Sequence, residues 1–331
     1  MELSGTVTMT SSIQTGVHLD HYRIEGVAAR SGMASIFRAT DLCTGQPVAI
    51  KVPHPEMEGD AVLSEQFRRE EEIGARLDHP GVMKVLPRGE HSRVYMVMEW
   101  VSGRPLRQLL GRSQPKLSGK HAVAITLAIC EALDYIHRNG VIHRDLKPEN
   151  VMIDADDRIK LIDFGIADKT EAPRNLSTNV SNTMGTPDYI SPEQLDGQSG
   201  DARSDLYALG VMLYEMLTGQ APFAGANPLV AMNNRLINNP VPPRELNPEI
   251  SAQLQEIVYR ALERDPGKRY ASAHDFAEDL RHQDQVIPAA RAELRDWNFP
   301  RTPWTKTVLS YASLILIPVM VFGLMVMLAR K

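Results

Sequence analysis

Asp145, Lys147, Asn150 and Asp163 lie within two polar runs, His143-Arg144-Asp145-Leu146-Lys147-Pro148-Glu149-Asn150 and Asp163-Phe164-Gly165. Carboxylate and amide oxygens of this kind suit a hard divalent cation, which takes a few of them together with phosphate oxygens and water. Two aspartates gathered in a folded loop would carry a heavy desolvation cost unless a cation sat between them. Far upstream, Val48-Ala49-Ile50-Lys51 closes an apolar run on a single lysine. The chemistry open to such a set is that of a bound divalent cation.

Rigid elements must hold these residues. Residues 22–28 and 35–40 are short β-prone runs, and a turn signal at 41–46 leads into an apolar strand at 47–52. A helix is predicted over 61–77, where Leu63, Phe67, Glu70, Ile73 and Leu77 recur at three or four before His79-Pro80-Gly81 ends it. Two more strands are predicted at 82–86 and 93–98. After Gly103 the pattern turns helical. Ser118 is the N-cap of a long helix whose inward stripe is Ala122, Ile125, Ile129, Ala132 and Ile136, stopped at Asn139-Gly140. Helices are also predicted at 203–217, 251–263 and 272–283. A small β-rich lobe followed by a larger helical one leaves a cleft between them, a usual place for a ligand.

In this order and spacing the motifs resemble those of eukaryotic-type (Hanks-type) serine/threonine protein kinases, over roughly residues 22–282. Ser191-Pro192-Glu193, Asp205 and Arg269 follow in matching contexts. Ser31-Gly32-Met33-Ala34-Ser35 and Asp201-Ala202-Arg203-Ser204-Asp205 resemble the bacterial branch. The resemblance implies an α+β, bilobal protein-kinase-like fold, with an antiparallel N-lobe plus one helix at about 22–101 and a mainly helical C-lobe at about 102–282. It also implies transfer of the γ-phosphate of ATP to Ser or Thr of protein substrates, with Mg2+ or alternatively Mn2+. On that resemblance Lys51 meets the α- and β-phosphates, and Glu70 pairs with Lys51. Asp145 accepts or orients the proton of the attacking hydroxyl, while Asn150 and Asp163 ligate the metal. Lys147 touches the γ-phosphate with Thr186 beside it, which disfavours tyrosine specificity. Met98 becomes the gatekeeper, and Glu99 and Val101 the hinge residues whose backbone groups hold the adenine edge. Ala49 and Met152 sandwich the ring. Glu193 and Arg269 are expected as a buried ion pair, and Asp205 as a brace under the catalytic loop.

Two departures bear on activity. The family's G-x-G-x-x-G stands here as Ala29-Arg30-Ser31-Gly32-Met33-Ala34, followed by Ile36. Glycine serves where backbone approaches phosphate closely or takes a positive φ. Ala29, Ser31 and Ala34 therefore predict a stiffer lid over the nucleotide, with Gly32 as one flexible point. Gly74, one turn after Glu70, stands where the resemblance implies a bulky apolar side chain. Losing a packed group of that kind costs about 2–5 kcal/mol when a cavity remains, so the helix carrying Glu70 is expected to be poised outward. These departures keep a second reading open: a membrane-anchored pseudokinase scaffold with weak nucleotide binding. A small-molecule phosphotransferase is disfavoured by the Ser-Pro-Glu and Gly185-Thr186-Pro187 segments. Regulation is expected to run through residues 163–193, because Arg144 precedes Asp145 in the arrangement that pairs with an activation-loop phosphate. Thr178, Ser181 and Thr183 are the candidate phosphosites, Thr183 preferred, and trans-autophosphorylation would call for a homodimer.

Composition sets the outer limits. Of 331 residues, 43% are apolar and 23% charged, a globular balance. Lys plus Arg number 36 against 41 Asp plus Glu, a formal net charge of -5 that removes the usual warrant for a nucleic-acid partner. Cys43 and Cys130 form neither a CxxC nor a Cys/His cluster in sequence, and filler is their expected role. Residues 1–21 read as a flexible Ser/Thr-rich tail without an export signal, and 283–306 as a juxtamembrane linker. Residues 307–329 carry no charge. At 1.5 Å per residue they would reach about 35 Å as a helix, against about 30 Å of bilayer core. Trp304, Lys306, Arg330 and Lys331 resemble interface anchors. A transmembrane helix in membrane lipid is therefore expected. The ATP-using body would lie on the cytoplasmic side of an inner or plasma membrane.

Overall fold

Alternating side chains organise the N-terminal sheet. In the computed structural model, β1 (His18–Leu19), β2 (Tyr22–Arg30), β3 (Ala34–Asp41), β4 (Pro47–Pro53) and β5 (Met96–Glu99) pair antiparallel in that order. The structure describes residues 14–57, 60–86, 92–110, 116–163, 187–223, 225 and 227–289. Successive residues of a strand face opposite ways, so Val48, Ile50 and Val52 join Tyr22, Ile24, Phe37, Tyr95 and Val97 in one buried cluster. Ala49 joins Ala34, Phe67, Met83, Val85, Met96 and Met98 in a second. Lys51 shares the Ala49 face by the same alternation. That is the face covered by α1 (Ala61–Gly74), with the Lys51 ammonium over the Phe67 ring at 5.6 Å.

Three boundaries differ from the sequence reading by three residues or more, and one of them is β5, which begins at Met96 rather than 93. Helix α1 stops at Gly74 rather than 77, and its last residues pass into a turn in which the Leu77 amide donates to the Gly74 carbonyl at 3.2 Å. Residues 82–86 form no regular strand. Val85 bridges antiparallel to Met98, while Val82 bridges parallel to Leu161. The Leu86 amide donates to the Val97 carbonyl at 2.8 Å, and the Met83 amide to the Leu161 carbonyl at 2.9 Å. This segment divides its backbone groups between two sheets, so neither pairing grows into a ladder. The second sheet is β6 (Arg104–Pro105), β7 (Val151–Ile153) and β8 (Ile159–Leu161), antiparallel throughout.

The helical part follows its caps. After α2 (Leu106–Leu109), helix α3 (Gly119–Arg138) begins where Ser118 Oγ accepts the His121 amide at 3.3 Å. All five residues of the expected stripe are buried, and Gly140 supplies the left-handed stop at φ 73°. The remaining described helices are α4 (Pro192–Leu195), α5 (Ala202–Thr218), α6 (Pro228–Ile237), α7 (Pro243–Leu246), α8 (Ala252–Ala261) and α9 (Ala273–Arg281). Helix α5 is buried along nearly its whole length and forms the centre. Ser251 and Ser272 cap α8 and α9, accepting the Leu254 and Asp275 amides at 3.0 and 3.1 Å. The sequence reading lacked α2, α4, α6 and α7; the last three begin with proline, the one residue with no amide to leave unpaired there. Among the described residues no helix is long and apolar enough to cross a membrane; residues 307–329 lie outside them.

One buried ion pair ties α4 to the turn before α9. Arg269 donates to both carboxylate oxygens of Glu193, at 2.7 and 2.6 Å, and Ser204 Oγ donates to Glu193 at 2.6 Å. Burial alone would raise the Glu193 carboxyl, but the hydrogen bonds and charge of Arg269 outweigh it and hold the group below its ordinary value. A carboxyl depressed in this way contributes stability that is present above the ordinary carboxylate range and lost as pH falls through the folded value. Glu193→Gln should lower stability at neutral pH by about 3–5 kcal/mol, the usual cost of removing one partner of a buried pair. In urea denaturation across pH, that deficit should narrow as the solution becomes acidic. A deficit independent of pH would contradict the pairing.

Candidate active site

Lys51 comes first because three elements meet on it. Its Nζ donates to Glu70 Oε1 at 2.9 Å and Oε2 at 3.1 Å, and lies 3.5 Å from Asp163 Oδ1. Strand alternation puts Lys51 on the α1 face, and the i,i+3 spacing of Phe67 and Glu70 puts both on the stripe that meets it. Burial pulls the ammonium down, yet Glu70 and Asp163 together outweigh burial and hold Lys51 above its ordinary value. Glu70 is the costlier partner. Burial pushes its carboxyl up, with Asp163 adding to the rise and Lys51 opposing it. One cation shared by two carboxylates leaves a net negative charge in the cleft, a setting that favours a second cation.

The loop from His143 to Asn150 is held from beneath. Asp205 Oδ2 accepts the His143 amide at 2.9 Å and lies 2.7 Å from His137 Nε2, while its Oδ1 accepts the Arg144 amide at 2.8 Å. Arg144 takes φ 63° and Asp163 φ 53°, a region in which non-glycine residues are uncommon. Above this brace Asp145 Oδ2 accepts from Lys147 Nζ at 2.7 Å and from Asn150 Nδ2 at 3.1 Å. Asn150 Nδ2 also donates to the Asp145 carbonyl at 2.8 Å, which fixes the amide. The Asn150 carbonyl accepts the Ile162 amide at 2.9 Å, and Asp163 follows directly. The Asn150 amide oxygen and the Asp163 carboxylate are hard donors that fit a magnesium ion and would not suit a soft one.

The expected adenine wall lies in one cluster except for Met152. Ala34, Ala49 and Met98 are buried together, with Ile36, Val101 and Ile162 packed against them. Glu99 donates its amide to the Lys84 carbonyl at 2.9 Å, and its carboxylate accepts the Lys84 amide at 2.7 Å. Met152 stands half-buried on β7 of the second sheet, paired with Lys160 and Pro105, outside that cluster. Ala29 ends in β2 pairing with Ile36, and the turn beyond is held by Ser31. The Ser31 amide reaches the Ala34 carbonyl at 2.9 Å, and Ser31 Oγ accepts the Ala34 amide at 3.1 Å. No residue from 29 to 34 is among the described positive-φ residues, so this turn does not need the missing glycines. Phe164, Gly165, Thr178, Ser181, Thr183 and Thr186 lie outside the described residues.

A family model described as a protein kinase domain matches residues 30–283. The chain belongs to the protein kinase family. Serine/threonine-protein kinase PknB of Mycobacterium tuberculosis is 38% identical over 272 residues, 80% of this chain and 43% of that protein. A probable serine/threonine-protein kinase of Streptomyces coelicolor is 39% identical over 264 residues, 78% of this chain and 39% of its own length. Another, from Corynebacterium efficiens, is 36% identical over 299 residues, 87% of this chain and 45% of its own. The chain thus spans less than half the length of these curated relatives. The solved Mycobacterium tuberculosis PknI kinase domain aligns with a TM-score of 0.64 at 28% identity, covering 82% of this chain and 100% of that one.

In this kinase domain two features escaped the sequence. Arg107 on α2 donates to Glu149 at 2.8 Å and to Glu215 at 2.7 Å, and also to the Tyr189 hydroxyl, knitting the loop of Asp145 to α5. These four residues come from distant segments with no motif to link them. The second feature corrects the expectation for Gly74. There is no cavity: a Cβ at residue 74 would lie 2.3 Å from Val85 Cγ2 and 3.1 Å from its Cβ. Val85 fills the place of the missing side chain, and Glu70 reaches Lys51. Gly74→Ala gains about 1 kcal/mol of helix propensity but meets overpacking of about 1–3 kcal/mol. It should therefore destabilise the parent chain in chemical denaturation and be neutral or stabilising in a Val85→Ala background. Equal cost in both backgrounds would refute the contact.

Proposed function

We propose that the chain is a serine/threonine protein kinase, carrying the γ-phosphate of ATP to hydroxyls of protein substrates and of its own activation segment. The observation that supports this best is the joint arrangement of Lys51 between Glu70 and Asp163 with Asp145, Lys147 and Asn150 interlocked on one loop. Six polar groups, three of them on one loop, converge on one cleft whose other wall is apolar, the mixture a nucleotide requires. Lys51, held charged by its two carboxylates, steadies the α- and β-phosphates. Asp145 accepts the proton of the attacking hydroxyl, and the Lys147 charge beside it meets the γ-phosphate. When bound, Mg2+ neutralises charge developing on the phosphate oxygens, and Asn150 and Asp163 would hold it. The adenine edge is assigned to backbone groups of Glu99 and Val101, between Ala49 and Met152 and beneath Met98.

Phosphate on Thr183, with Thr178 and Ser181 as further acceptors, would pair with Arg144 and order the segment that leads to Glu193. Residues 307–329 are assigned as a membrane span that tethers the catalytic body on the ATP-containing side, and crowding of such bodies in two dimensions would favour trans-autophosphorylation by a homodimer. The test uses the full chain in detergent with magnesium, labelled ATP and a generic basic protein. Asp145→Asn should lower turnover by about 10²–10⁴-fold, the usual worth of a positioned base, and Lys51→Met should lower it as well. Wild-type incorporation no higher than that of Asp145→Asn would overturn the catalytic reading and leave a nucleotide-binding scaffold.

A further inference from the structure

The register of β2 and β3 creates a second cluster of ligand-type side chains, far from the cleft. Tyr22 pairs with Asp41, so His21 and the turn after Asp41 lie side by side. The ligand atoms of His21, Asp41 and Cys43 all lie within 4.8 Å of one another. Among the described residues no other group of three histidine, cysteine or acidic side chains comes so close together. In sequence Cys43 has no CxxC and no neighbouring histidine, and only the strand pairing brings His21 to it.

Backbone hydrogen bonds tie together the segments that carry these side chains. The Leu42 amide donates to the His21 carbonyl at 2.9 Å and so binds the two chain segments together. Asp41 Oδ1 accepts the Cys43 amide at 2.8 Å and the Thr44 amide at 3.3 Å, while the Gly45 amide returns to the Asp41 carbonyl at 2.7 Å. Ligating carboxylates are commonly hydrogen-bonded by neighbouring groups in this way. The His21 ring packs against the Tyr22 ring, centroids 4.1 Å apart. Asp41 is fully buried, whereas Cys43 is exposed on its turn and can adjust.

Metal chemistry separates this cluster from the cleft. Thiolate, imidazole and carboxylate together select a borderline transition metal such as Zn2+, while the oxygen donors of Asn150 and Asp163 select Mg2+. Around a tetrahedral Zn2+ with bonds of about 2.0–2.3 Å, ligand atoms stand about 3.3–3.8 Å apart. Closing from 4.8 Å or less to that range needs a shift of about 1 Å, within reach of an exposed turn. We propose that His21, Asp41 and Cys43 bind a zinc-class divalent ion, clamping the β1–β2 link to the β3–β4 turn. Three protein ligands leave one coordination position for water or an exogenous ligand. β3 carries Asp41 at one end and Ala34 at the other, about 23 Å apart at the strand rise. The site therefore stands clear of the nucleotide.

Cobalt titration of the metal-free full chain in detergent, with saturating Mg2+, tests this. One equivalent of Co2+ should produce the near-ultraviolet thiolate-to-cobalt charge-transfer band, and Zn2+ should bleach it. Cys43→Ser should abolish the band, Cys130→Ser should keep it, and His21→Gln should weaken cobalt binding by more than about tenfold, since even outer-shell partners are worth that much. Zn2+ should also slow alkylation of Cys43 in the folded parent but not in His21→Gln, a readout that does not depend on cobalt. No band, a band that survives Cys43→Ser, or unchanged cobalt affinity in His21→Gln would overturn the proposal.

Discussion

Everything in the cleft turns on one ammonium group. Lys51 on β4 is claimed at once by Glu70 from α1 and by Asp163 from the segment after β8. Glu70 could not be so buried without it, and the lysine could not remain charged there without the carboxylates. The pairing therefore fixes the position of α1 against the sheet and the position of Asp163 beneath the sheet, in one stroke. Glu70, raised by burial, is the strained member of the trio.

The apolar architecture serves that contact. The N-terminal sheet buries one face in a core of Tyr22, Phe37, Ile50 and Val97 and turns the other toward the cleft. There Ala49, Met98 and Val85 pack with Phe67 of α1. Small-to-large complementarity settles the helix: Gly74 yields its space to Val85, so α1 approaches more closely than a bulky residue would allow. Residues 82–86 then reach from Met98 to Leu161, joining this sheet to the small one that carries the loop of Asp145. Below, Asp205 converts two backbone amides into a fixed platform.

Much of this was legible in the sequence, for physical reasons. Helix α3 could be read residue by residue because cap, stripe and stop signals agreed: Ser118, the three-and-four spacing from Ala122 to Ile136, and Asn139-Gly140. The roles of Glu193 with Arg269 and of Asp205 followed from resemblance, and their geometry now has distances. Other features were hidden. Periodicity carried the α1 prediction past Gly74 because Leu77 keeps the spacing, although the chain has already turned there to bury it. The run at 82–86 has strand composition but two partners, and partner choice is not encoded locally. Asn227-Pro228, a cap followed by proline, is the local signal for α6, but the helix after it is short. Gly74 looked like a defect because sequence shows which side chain is missing and not which neighbour has moved in. His21, Asp41 and Cys43 are brought together only by strand register.

The most direct measurement is a double-mutant cycle on Lys51 and Glu70. The parent, Lys51→Met, Glu70→Gln and the double variant would be compared by kcat/KM for ATP in the full chain. If one shared ammonium organises the cleft, the two losses overlap, with a coupling of about 0.5–3 kcal/mol and a double variant little slower than Lys51→Met alone. Losses that simply add would mean that Glu70 acts independently of Lys51, and the contact on which the cleft has been built here would not be the one that governs it.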